Sequence, residues 1–174
     1  MKFPEWLDVY GDTQFRGDCP QEGAEQITFF GMLRAEYPDT LGVLALHPKN
    51  EEKRQGKQFR QLDRDKAMGL SPGASDIIIP GNPAFVCEMK RQDHTKSQWK
   101  KGQQEYLWAA KSQGAFTAVA LGWEAALRAV SEASTAERLT VETEIQLGDG
   151  ITPVEFEFSA IVNGGENTTI AAVL

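Results

Sequence analysis

In the stretch GASDIIIPGNPAFVCEMKRQ, Gly73 to Gln92, Asp76 opens one apolar run and Glu88 closes another, with Lys90 two residues further on. Charges in apolar surroundings are costly unless something pairs them. Side chains along a strand alternate faces, so Glu88 and Lys90 project from one side and Phe85, Cys87 and Met89 from the other. Pairing the two runs so that Asp76 stands opposite Glu88 sets the carboxylates about 4.5–5.5 Å apart at Cβ, whereas a slip of one residue sends them to opposite faces. The first register closes through a loop centred on Gly81-Asn82-Pro83 and is the one predicted. Carboxylates held that close repel unless protonated or bridged by a cation, and a hard divalent ion with oxygen ligands is the natural bridge. Mg²⁺ suits such a site, with Mn²⁺ as a substitute. It takes few protein carboxylates and keeps several waters, leaving positions for phosphate oxygens and for a water whose pKa the ion lowers. Lys90 beside the site would orient that water and stabilise the charge gathering on a pentacoordinate phosphorus. The bare pattern Asp…Glu-x-Lys leaves a second reading open, a salt-bridged hairpin on a solvated sheet face.

A helix is predicted from about Gln21 to Tyr37, with Phe29, Met32 and Leu33 at helical spacing, Glu25 on the same stripe and Pro38 just after it. A short strand, LGVLAL, comes next, then a polar, charge-rich segment from His47 to Gly69 read as a loop plus a helix. The strands SDIII and AFVCEMK are joined by the turn-forming PGNP. SQWKKGQQEYLWAAKSQG is read as a helix, AFTAVALG as a buried strand and WEAALRAVSEA as a second amphipathic helix. This order describes an α/β architecture, a small mixed sheet flanked by helices. Residues 1–138 form the core with an N-terminal extension. Residues 139–174 form an acidic, β-rich extension, in which alternation around GDG signals an antiparallel hairpin. On the helix after Lys90, Gln103, Tyr106, Leu107 and Ala110 share one face, and an amide on that stripe needs a polar partner, either near Lys90 or on the backbone. Gln104 rivals Gln103 by one residue.

The chain has 174 residues, 41% of them hydrophobic, which suits one globular domain. The start, MKFPEWLDVYGD, lacks a charged segment followed by an apolar one. No apolar run approaches the roughly 20 residues of a membrane span, so a cytoplasmic protein is expected. Two cysteines, Cys19 and Cys87, are too few for a disulfide scaffold, and Cys87 reads as a buried reduced thiol. The net charge is −7, yet it is unevenly spread. From Glu124 onward nine acidic residues face two basic ones, and Lys49 to Lys111 holds thirteen Lys and Arg against eight Asp and Glu. Asn50, Lys53, Arg54, Lys57, Arg60 and Arg64 are therefore candidates for contacts to a phosphate backbone.

Residues 20 to 130 resemble a PD-(D/E)xK phosphodiesterase, and more narrowly the VRR-NUC group, which includes small stand-alone nucleases encoded by phages. The resemblance rests on Glu25 in AEQITFF, HPKNE at His47 to Glu51, GASD ending at Asp76, EMK at Glu88 to Lys90 and Gln103 in KKGQQEYL. It implies a restriction-endonuclease-like core and a metal-dependent DNA endonuclease, with Holliday (four-way) junctions or other branched DNA as the favoured substrate. Asp76, Glu88 and the backbone carbonyl of Met89 would hold the metal, Lys90 would serve the attacking water, and Gln103 would support Lys90 or a phosphate. Glu25 is either partly solvated near its helix end or turned into the site as an outer-shell or second-metal ligand. His47 is expected to be a turn or phosphate-contacting residue rather than a catalyst. The acidic tail and the early segment PEWLDVYGDTQFRGDCPQE lie outside the group's pattern and read as elements of a homodimer. A competing account keeps the fold without catalysis, as a binding module whose acidic tail mimics DNA.

Overall fold

A computed structural model of the protein describes residues 1–48, 64 and 67–143, the side chains of 136–143 excepted. Along these residues run β1 (Asp8–Tyr10), α1 (Glu22–Glu36), α2 (Leu41–Leu44), β2 (Ile77–Ile79), β3 (Phe85–Lys90), α3 (Gln103–Ser112), β4 (Phe116–Leu121) and α4 (Trp123–Thr143), with a 3₁₀ turn at His94–Lys96. The strands form one sheet in the order β1-β4-β3-β2. β3 and β4 are its two central strands, parallel to each other, with β1 parallel on one edge and β2 antiparallel on the other. The sheet is therefore mixed, as the sequence predicts. Central strands covered on both faces need a nearly continuous apolar run, and FTAVAL supplies one; FVCEMK does so except at Glu88 and Lys90.

The two-residue period of the strands sorts the core into two layers. Ile77, Ile79, Phe85, Cys87, Met89, Ala118 and Ala120 face Phe29, Phe30 and Leu33 of α1 and the alanines of α4. Val86, Val119 and Leu121 face Leu107 of α3, together with Leu7 and the flanking Phe3, Trp6 and Trp99. By the same alternation Glu88 and Lys90 point to the α3 side. The chain divides into two compact units, Met1–Leu139 and Thr140–Leu174, and the sheet belongs to the first. No helix among the described residues is long and apolar enough to cross a membrane.

Five local expectations change. LGVLAL is not a strand: Leu41–Leu44 closes a helical turn, with Ala45 N–H donating to the Leu41 carbonyl, and only Leu46 bridges to Ile78. A run that short and apolar satisfies either period, and the adjoining end of α1 selects the turn. The helix before β4 starts at Gln103, because Gly102 is left-handed (φ 91°) and Ser97–Lys101 lies outside it. Met32 falls at the rim of the buried face of α1 and is exposed, and Phe30 takes its place in the core. The first residues of the expected β-rich tail continue α4 as far as Thr143, and those beyond lie outside the described residues. The early segment contributes β1, paired to β4, so this part of the N-terminal extension is a strand of the sheet itself.

Candidate active site

Ile77 pairs with Cys87, Ile78 with Val86 and Ile79 with Phe85, a register that sets Asp76 opposite Glu88 and centres the connecting loop on Asn82. This is the predicted register, and it places both carboxylates and Lys90 on one face. Asp76 sits just before β2, where the ladder ends, and its Oδ2 accepts the Met89 N–H at 3.1 Å. Along a strand a residue's N–H and carbonyl turn to the same edge, so the Met89 carbonyl faces the β2 side of β3.

Beneath this rim Glu88 and Lys90 are fully buried. Lys90 Nζ donates to Glu88 Oε1 at 2.7 Å and to Gln103 Oε1 at 3.2 Å. Gln103 Nε2 in turn donates to Glu88 Oε1, which closes a three-membered polar ring. Glu88 Oε2 is buried without a hydrogen-bond partner. Burial pushes the Glu88 carboxyl up from 4.5 to about 8, the negative Asp76 adds to the rise, and Lys90 partly opposes it. The Trp99 ring centroid lies 5.5 Å from Lys90 Nζ.

Gln103 reaches the ring because of a close approach of backbone. Gly73, in the GASD turn, has φ 82°, and a Cβ there would stand 2.3 Å from the Gly102 carbonyl carbon. The first turn of α3 is thus pressed against the turn that leads into Asp76. Gln103 is buried, and its Oε1 also accepts the Lys100 N–H at 2.8 Å. Of the two rival amides, the fold turns Gln103 into the site.

Other expected residues fall elsewhere. Glu25 is buried, but α1 covers the opposite face of the sheet from Glu88. Its Oε2 accepts the Trp123 N–H at 3.0 Å at the start of α4, and its Oε1 has no partner. The structure thus engages Glu25 Oε2 at the N-terminus of α4. Asn50, Lys53, Arg54, Lys57 and Arg60 lie outside the described residues, and Arg64 is exposed. His47 comes closer to the site than its sequence suggests: Nδ1–H donates to the Asp76 carbonyl at 2.7 Å and stands 4.0 Å from Asp76 Oδ1. Its place in HPKNE, before the charged segment, is the only signal that marks it. Nothing in the sequence singles out Trp99.

Among the described residues no three His, Cys, Asp or Glu side chains form a metal-binding group. Two opposed carboxylates, a carbonyl on the same edge and an orphaned buried Glu88 oxygen nevertheless suit an ion that takes few protein ligands and keeps its waters, as Mg²⁺ does. The sequence matches no family model and no curated protein. Among solved structures, a VRR_NUC domain protein matches at a TM-score of 0.53 and 17% identity, over 68% of this chain and 91% of that one. At that identity the likeness is one of fold, and the sheet and helices described above have the architecture of a VRR_NUC domain.

Proposed function

We propose that this protein is a Mg²⁺-dependent phosphodiesterase that cuts DNA internally, with branched or four-way junction DNA as its preferred substrate. The observation that carries the reading is the Asp76–Glu88 register with Lys90 on the same face, and the VRR_NUC-type fold, a nuclease-domain fold, supports it. Asp76, Glu88 and the Met89 carbonyl would hold the ion. When bound, such an ion acts as a Lewis acid on the phosphoryl oxygens and lowers the pKa of a water. The chain's own residues do the rest. Gln103 holds Glu88 Oε1, which would leave Oε2 for the ion. Lys90 directs its ammonium toward the attacking water and offsets charge on the phosphorus as the bond to the leaving oxygen lengthens. His47, on the Asp76 carbonyl, holds the rim of the site. Asn50, Lys53, Arg54, Lys57, Arg60 and Arg64 contact the backbone without reading sequence. That assignment makes binding fall steeply with salt, and affinity that holds between about 50 and 200 mM salt would remove it.

The test incubates the protein with labelled four-way junction, linear duplex and single strand, with and without Mg²⁺ or Mn²⁺. Cleavage should require the ion, and Asp76→Asn and Lys90→Met should each lower the rate by about 10²-fold or more. Folded wild-type protein that cuts none of the three with either ion would sink the reading.

A further inference from the structure

Lysine carries three N–H donors on one charged nitrogen. Among the described residues, Lys90 Nζ spends two of them, on Glu88 Oε1 and Gln103 Oε1. It also lies 5.5 Å from the centroid of the Trp99 ring, within the roughly 6 Å over which a cation is drawn to a π face. The ammonium is fully buried, so the attraction acts without screening by water. A ring differs from a third oxygen in one respect that matters here: it stabilises the charge without claiming a particular N–H.

Trp99 is itself held, by a part of the chain that the metal-site pattern leaves unexplained. Its Nε1–H donates to the Lys2 carbonyl at 2.8 Å. That N-terminal segment is fastened at several other points. Phe3 packs on the His94 ring at 5.1 Å, Lys111 Nζ donates to the Trp6 carbonyl at 2.8 Å, and Leu7 is buried. The left-handed Gly102 keeps Trp99 out of α3, which frees the indole to lie over Lys90.

We infer that Trp99 is a positioning residue for Lys90, its ring held over the ammonium. The catalytic half of this inference rests on the nuclease reading; the contact itself does not. The indole holds the ammonium against Glu88 and Gln103 while leaving its third N–H free to swing toward a phosphate oxygen or the attacking water.

The experiment has one readout that needs no activity. In protein labelled with ¹³C-lysine, the ring current of Trp99 should shift the Lys90 ε-CH₂ resonance upfield, the signal being assigned by its loss in Lys90→Met. The shift should persist in Trp99→Phe, which keeps a π face but lacks the indole N–H, and collapse in Trp99→Leu. In cleavage assays at saturating ion, Trp99→Leu should lower kcat by about tenfold with KM unchanged, and Trp99→Phe should recover most of that, to within about threefold of wild type. An unshifted Lys90 resonance in the wild type would overturn the contact. Equal kcat for the Leu and wild-type proteins, or a loss tracking only a lowered Tm in both variants, would overturn the positioning role. A shifted resonance in wild-type protein that cuts nothing would refute the nuclease reading, and the catalytic half of this inference with it, while upholding the contact.

Discussion

Glu88 holds Lys90 and Gln103 with one oxygen and keeps the other unpartnered in a buried site, and this division governs how the protein should respond to pH. Its folded pKa, about 8, lies above its ordinary 4.5. A group raised in this way contributes stability that is fully present below the unfolded pKa and is lost as pH rises through the folded one. The metal-free protein should therefore weaken between about pH 5 and pH 9, by on the order of a few kcal/mol, in urea unfolding followed across that range. Glu88→Gln should flatten the dependence, and wild-type stability that stays level across the window would contradict it. The proposed ion competes with the same proton, so its apparent affinity should tighten with pH up to about 8, as calorimetry would show.

Two contacts between elements decide whether these side chains meet. Gly73 and Gly102 touch through backbone, and each has a positive φ that other residues adopt at a cost. Gly73→Ala adds a carbon where backbone already stands, so it should destabilise the protein by more than about 2 kcal/mol and lower cleavage beyond that loss by moving Gln103. A near-neutral effect on both would mean that the turn opens cheaply. Glu25 belongs to this scale as well, because its hydrogen bond joins α1 to the start of α4. Glu25→Gln keeps a carbonyl acceptor for Trp123 and should leave cleavage within a few-fold of wild type, whereas a loss as deep as that of Asp76→Asn would return Glu25 to the metal site.

At the scale of the whole molecule, several large apolar side chains are exposed among the described residues. Ile27, Val43, Leu44 and Leu46 are exposed, and Ile27 and Leu46 line an open hollow of about 550 Å³ between α1 and Ala45–His47. Contiguous exposed apolar surface commonly marks an interface. The homodimer expected from the sequence is a proposal, and this face would be the contact between copies if they meet here. Sedimentation equilibrium should find a dimer, and Ile27→Glu should convert it to a folded monomer; a wild-type monomer at tens of micromolar would dismiss the proposal.

Local periodicity and turn chemistry are legible in the chain alone. A strand's period of two, with a loop that closes on Asn82, is enough to put Asp76, Glu88 and Lys90 on one face, and the runs FVCEMK and FTAVAL announce strands buried on both sides. The same local rules misplace LGVLAL, whose few apolar residues satisfy two periods at once, and extend α3 across Ser97–Lys101, where a glycine's positive φ ends it. Packing of the layers brings the N-terminal segment into the sheet and its Lys2 carbonyl to Trp99, Glu25 to α4 and His47 to Asp76. Each of those contacts joins residues far apart in the chain, and their pairing is set by how the layers pack, which no spacing within a single element records.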